Sequence, residues 1–217
     1  AKMHEITKNF KCPAPIINKE NKTITDFEGK KLMIVSFLDG KAKQNLSPQN
    51  CGSIGMEVAK MHEITKNFKF QRENNLSVNS WRSLFDSVKD KCSKIHKDLP
   101  KLIEENLSDV EKNWPKNLPR GIIHADLFHD NIFFNKDKFS GIIDFYFSCE
   151  DFFAFEIAIC FNALCFDGLK NNLSFNVTKA KNFIDGYTSV RKLSNEELNN
   201  IKVLSQGAAL RFLLTRV

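Results

Sequence analysis

Most of this sequence repeats its apolar residues at three-and-four spacing, but between Gly121 and Phe147 that period breaks into short β-type runs. Ile132 to Phe134 and Gly141 to Ile143 are two such runs, and the polar stretch Asn135 to Ser140 between them predicts an antiparallel pair. In that register Asn131 and Asp144 face each other at one end of the hairpin. Opposed strand residues have Cα atoms about 4.5 to 5.5 Å apart, so an amide oxygen and a carboxylate arrive at one spot. Both are hard oxygen ligands. Magnesium takes one or two carboxylates and fills its other positions with water and nucleotide phosphates, so Asn131 and Asp144 are candidate metal ligands. Asp126, five residues ahead of Asn131, falls on the adjoining loop, in reach of a hydroxyl attacking a metal-bound phosphate. One aspartate that deprotonates an alcohol, with an asparagine and a second aspartate on the metal, is the division of labour that phosphoryl transfer needs.

The remaining chain is read around that centre. Lys22 to Phe27 and Lys31 to Leu38 are β-rich runs separated by Glu28-Gly29-Lys30 and read as a hairpin. Asp39-Gly40 breaks the second run, and Ser47-Pro48 supplies an N-cap and a first-turn proline for a helix with Ile54, Val58, Met61 and Ile64 on its apolar face. Trp81, Leu84, Phe85, Val88, Cys92 and Ile95 predict a second helix. Ile103, Leu107, Val110 and Trp114 predict a third, joined to the second near Pro100. From Asp151 onward the chain reads as helical, with a loop around Gly168 to Asn176 and a Ser194/Glu197 capping box on the last helix. A β-rich piece followed by a helical body with a small β insert is the layout of an α+β fold. Ala1 to Lys11 recurs letter for letter at Ala59 to Lys69, but one perfect copy without drift is not a solenoid repeat.

Composition narrows the function classes. The 32 basic and 26 acidic side chains leave a net charge of +6, but the lysines are interspersed with acids along the whole chain, which argues against nucleic-acid binding. No apolar run is long enough for a membrane span, since Phe152 to Phe166 is interrupted by Glu156 and Asn162. The start has no signal-peptide core, so the expected location is cytoplasmic. Six cysteines at irregular spacing, with no Cys-x-x-Cys pair, read as reduced, packed thiols. His124, Asp126, His129 and Asp130 also resemble half of a metal-hydrolase site, but no histidine follows them to complete it. His124 is read as packing under the loop, and His129 and Asp130 as local loop contacts.

His124 to Asn131 fits the kinase catalytic-loop form His-x-Asp-Leu-x-x-x-Asn at every fixed position, and Asp144-Phe145 stands where the metal-binding Asp-Phe-Gly element would, with Tyr146 for its glycine. With Pro13-Ala14-Pro15, Ile34 to Gly40, Ile143 to Phe147 and Gly207 to Arg216, the sequence resembles the aminoglycoside phosphotransferase-like branch of the protein-kinase-like superfamily, and within it the bacterial homoserine kinases. The resemblance implies a protein-kinase-like fold with a partial β-rich N-lobe, a mainly helical C-lobe and a small catalytic β-hairpin. It further implies ATP and Mg2+ as cofactors, L-homoserine as acceptor in threonine biosynthesis, Asp126 as base, and Asn131 and Asp144 on the metal. The Phe37-Leu38 backbone would line the adenine pocket, and Glu156 would brace the catalytic loop. The alternatives are a kinase of another small alcohol, such as choline or methylthioribose, or a non-catalytic nucleotide-binding module. The family's glycine-rich phosphate loop and strand lysine have no counterpart here. The expectation is an N-terminally incomplete chain, with residues 1–40 a remnant of the first lobe and 41–217 the catalytic lobe.

Overall fold

One left-handed turn and a proline shape the first part of the chain, whose computed structural model describes residues 10–68, 72–168 and 172–217. β1 (Thr25–Phe27) and β2 (Lys30–Leu32) pair across Glu28-Gly29, both in the left-handed region at φ 49° and 75°, which matches the twist of a two-residue hairpin. The expected hairpin is present, but its second strand ends at Leu32 instead of Leu38. Beyond Leu32 the chain changes partner. Ile16 N–H bonds to the Ile34 carbonyl and Ser36 N–H to the Ala14 carbonyl, each at 2.8 Å, and Pro15, which has no N–H to give, limits the pairing to an isolated bridge with Val35.

The chain then enters its helical body by way of β3 (Lys41–Ala42). α1 (Pro48–Thr65) begins as its sequence predicts: Ser47 Oγ accepts the Asn50 N–H and Asn50 Oδ1 accepts the Ser47 N–H, both at 3.1 Å. Ala59 to Thr65, from the second copy of the repeat, build the last turns of this helix. Most of the first copy, residues 1–9, lies outside the described residues. α2 (Val78–Ile95) and α3 (Leu99–Asn113) follow, with Pro100 in the first turn of α3, and their predicted stripes meet in one core except for Ile95, which the last turn of α2 leaves exposed.

Four strands carry the centre of the molecule. β4 (Arg120–Ile123) pairs antiparallel with β7 (Cys149–Phe152), and β5 (Ile132–Asn135) lies between β3 and β6 (Lys138–Ile142). The β5–β6 connection is Lys136-Asp137, with Lys136 at φ 56°, and not the six residues expected. The register also differs by one: Ile132 opposes Ile142, and the Ile143 N–H bonds to the Asn131 carbonyl at 3.0 Å, so Asn131 stands opposite Ile143 and not Asp144. A bulge between Phe133 and Phe134 takes up the odd residue that polarity alone did not reveal.

The region from Asp151 is not helical throughout either. Asp151 and Phe152 belong to β7, because the backbone of β4, buried against the next helix, needs a partner even where the sequence Cys-Glu-Asp-Phe shows no strand alternation. α4 (Phe153–Leu164), β8 (Phe166–Asp167), β9 (Ser174–Phe175), α5 (Val177–Thr188) and α6 (Asn195–Arg216) complete the chain, with β9 inside the expected loop and its partner β8 just ahead of it, where helix was expected. The Ser194/Glu197 capping box is formed. α4 is buried nearly all round and separates two apolar cores, one against α2, α3 and α6, the other against α1, α5 and the β5–β6 hairpin. Five of the six cysteines are buried as free thiols. Among the described residues no helix is long and apolar enough to cross a membrane.

Candidate active site

The loop after β4 is held from both sides at one left-handed residue. Ala125 sits at φ 66°, a conformation that disfavours any residue with a Cβ, so its neighbours must over-determine it. They do so through two charges. Glu156, in the first turn of α4 and with no exposed surface, accepts the backbone N–H groups of His124 and Ala125, the latter at 3.1 Å. Arg211 of α6 donates to the Ala125 carbonyl from the opposite end. Burial pushes the Glu156 carboxyl up to about 7, against the pull of the two N–H donors and of Arg211.

His124 ties this loop to the strand that leads to Asp144. Its Nδ1 accepts the Asp126 N–H at 3.2 Å and its Nε2 donates to the Ile143 carbonyl at 2.8 Å, which fixes the neutral, Nε2-protonated ring. Burial lowers its pKa to about 4, in keeping with that neutral form. Its ring meets Phe145 edge-on at 4.8 Å. The packing role read from the sequence is therefore accompanied by a bridging one.

Asp126 is half-buried, and Asn131 is buried in the single helical turn His129–Asn131 that leads into β5. The Asn131 Nδ2 donates to the Asp126 carbonyl at 2.9 Å, which leaves its Oδ1 as the free acceptor. Asp144, two residues beyond β6, caps the single helical turn Phe145–Phe147 from the left-handed region at φ 60° and ψ 62°, exposed, with Oδ1 accepting the Tyr146 N–H at a long 3.4 Å. The one-residue register difference does not scatter the three groups: at the open end of the hairpin Asn131 bonds to the Asp126 carbonyl, and the Asp144 charge acts on the Asp126 carboxyl. Desolvation raises the Asp126 pKa, Arg211 pulls it down, and the nearby Asp144 and Asp130 charges raise it again. An amide oxygen and a carboxylate suit a hard cation that keeps further oxygens from water and phosphate. Among the described residues no three His, Cys, Asp or Glu side chains converge into a closed protein cage, which such a cation does not need.

The expected nucleotide-contacting pair lies at the edge of this hairpin. Leu38 packs its side chain beside Gly141 of β6, while the Phe37 side chain is 89% exposed. Among the described residues neither Phe37 nor Leu38 spends its backbone N–H or C=O on a protein hydrogen bond. Gly40, at φ 127°, passes so close to the Phe134 carbonyl that a Cβ would sit 2.9 Å from it. A cavity of about 600 Å³ opens there between Asp39, Lys41, Lys43 and the β5–β6 turn. A second cavity, of about 640 Å³, lies beyond the Asp126 loop, between Phe128 and His129, Leu46, the β8–β9 hairpin and Lys179. Sequence reasoning gave Arg211 no role. Its five-residue offset from Arg216 on a helix of mixed character carries no signal until α6 is docked on the loop.

A helical lobe with a small β5–β6 hairpin, a His-x-Asp loop and an Asp-Phe element beside it defines a kinase-like phosphotransferase, and the comparisons agree. The family model described as "Phosphotransferase enzyme family" matches residues 2–191, and the chain belongs to that family. It is 40% identical over 214 residues to the homoserine kinase of Mesorhizobium japonicum and 43% identical over 219 residues to that of Paramagnetospirillum magneticum, covering 99% and 98% of this chain and 66% of each relative. The chain thus spans just under two thirds of the curated relatives' length. Among solved structures it is similar to an amicoumacin kinase (TM-score 0.70, 14% identity, 99% of this chain and 66% of the other). A choline kinase from Cryptosporidium parvum is similar as well (TM-score 0.66, 19% identity, 98% and 69%). These structures establish the protein-kinase-like fold expected from the sequence.

Proposed function

We propose that the full-length protein transfers the γ-phosphoryl group of ATP to the side-chain hydroxyl of L-homoserine. The observation that carries this reading is the gathering of Asp126, Asn131 and Asp144 around one hairpin end, with the Asp126 loop braced by Glu156, His124 and Arg211. The likeness to homoserine kinases over nearly the whole chain supports homoserine as acceptor over choline or methylthioribose. The Phe37-Leu38 backbone, without hydrogen-bond partners among the described residues, would take the adenine edge as the hinge between residues 1–40 and 41–217. Asn131 Oδ1 and the Asp144 carboxylate would hold magnesium, which when bound neutralises charge on the β- and γ-phosphates.

Asp126 performs the proton step. Its carboxylate accepts the proton of the acceptor hydroxyl as that oxygen bonds to the γ-phosphorus and the bridging bond to ADP breaks, and it later gives the proton to solvent. Cytoplasmic threonine biosynthesis is the setting in which such a product is used. The test is a panel of homoserine, choline and methylthioribose assayed with the full-length gene product and MgATP, together with two variants. Asp126→Asn is expected to lower kcat by roughly 100-fold or more with little change in ATP binding, as for loss of a general base. Asp144→Ala is expected to abolish magnesium-dependent nucleotide binding. Wild-type turnover in the first variant overturns the assignment of the base, and nucleotide binding without turnover of any alcohol favours the non-catalytic module.

A further inference from the structure

Among the described residues four cations stand around the Asp126 loop, and three of them are engaged. Arg211 donates to the Ala125 carbonyl, Lys179 is paired with Asp167, and Arg72 donates to the Tyr146 carbonyl at 2.6 Å. Arg216 has no polar partner among the described residues. It is nevertheless held in place: its guanidinium carbon lies 4.9 Å from the centroid of Phe128 and 5.3 Å from that of Phe212. Those two rings meet edge-to-face at 4.7 Å. A planar guanidinium resting on two rings loses little freedom, yet keeps its five N–H donors for another group. A lysine would not stack in this way.

The stack belongs to the loop that carries the base. Phe128 is the second residue after Asp126, and its N–H bonds to the Asp126 carbonyl at 3.0 Å. The Arg216 charge is among those that the Asp126 carboxyl senses. An exposed, oriented and unpaired cation next to the place where the acceptor hydroxyl must come is suited to an anion on the acceptor itself. In a hydroxy amino acid that anion is the α-carboxylate, and a guanidinium fork binds a carboxylate through two parallel N–H···O bonds. We propose that Arg216 binds the α-carboxylate of the acceptor and thereby selects hydroxy amino acids over amino alcohols of the same length. This rests on the reading of the acceptor given above.

The experiment compares homoserine with aminopropanol, which is homoserine without its carboxylate, in the wild-type full-length protein and in Arg216→Gln and Arg216→Lys. Arg216→Gln is expected to raise the homoserine KM by about 10- to 100-fold, the range for a lost charge-assisted bond, while the ATP KM stays as in the wild type and kcat/KM for aminopropanol falls far less than that for homoserine. Arg216→Lys, which keeps the charge but not the fork, should fall between the two. A homoserine KM that does not move in either variant overturns the proposal. So does an equal loss for both acceptors or a raised ATP KM, which would place the guanidinium on the loop or on the phosphates. A wild-type protein that phosphorylates neither compound overturns the homoserine reading and this proposal together, whereas an active wild type with indifferent variants overturns this proposal alone.

Discussion

A carboxylate without exposed surface is hard to keep ionised, and Glu156 is in that position. Its folded pKa of about 7 lies above the ordinary 4.5, so the folded state holds a proton that the unfolded chain has released between those two values. The sign follows: as pH rises from 4.5 to 7, this group costs the folded state stability, by roughly 3 kcal/mol once both states are ionised. Glu156→Gln has no such proton to lose. Its stability relative to wild type should therefore climb between pH 5 and 8, which thermal melts of the two proteins at matched pH would measure. Taking the difference matters, because His124, whose pKa is lowered to about 4 by burial, moves the absolute curve the other way, losing stability as pH falls from 6.5. Glu156→Ala instead leaves the His124 and Ala125 N–H groups buried without an acceptor, and is expected to be destabilised by about 2 to 5 kcal/mol at any pH. A flat difference curve for Glu156→Gln would mean that the carboxylate stays ionised in the fold.

Helices with strong stripes or caps were legible before any coordinates, and short strands were not. Ser47-Pro48 and Ser194/Glu197 announce their helices because a cap is a local event between residues three apart. The register of β5 on β6 depends on a bulge and on a two-residue turn, neither of which is marked by residue type in these apolar runs, so the sequence placed Asn131 one position away from its partner. β7 escaped notice because its pairing with β4 is a backbone requirement. At the candidate site, spacing and likeness singled out Asp126, Asn131 and Asp144 and gave Glu156 the bracing contact it makes, while the contacts of Arg211 and Arg216 appear only when α6 lies across the loop. The contact of α1 with α5 was equally hidden. A Cβ on Gly55 would lie 2.1 Å from the Phe183 carbonyl, and one on Gly186 would lie 2.0 Å from that of Gly52, so backbone meets backbone where these helices cross. Gly55→Ala is therefore expected to push the helices apart and lower stability by about 1 to 3 kcal/mol. Gly52→Ala meets its nearest atom at 3.3 Å and gains up to about 1 kcal/mol of helix propensity, so it should come out near neutral. Urea unfolding of both variants decides it, and equal loss in the two would mean that the crossing is looser than these distances.

At the scale of the whole molecule, α4 sets the cooperativity. Phe155, Ala158 and Ile159 belong to the core against α2, α3 and α6, while Ile157, Cys160, Phe161 and Leu164 belong to the core against α1 and α5, and Glu156 between them reaches the catalytic loop. One helix as the shared wall of two cores predicts that neither core opens alone. The buried thiols allow this to be read directly, since Cys92 lies in the first core and Cys51 in the second, on different helices. In native-state thiol labelling, where the rate follows the population of the open form, both cysteines should report the same opening free energy. Phe155→Ala removes a fully buried ring from the first core, at about 3 to 5 kcal/mol. It should lower the protection of Cys51 by as much as that of Cys92. If Cys92 loses protection and Cys51 keeps it, the two halves unfold separately, and α4 is then a tether to the catalytic loop and not a common wall.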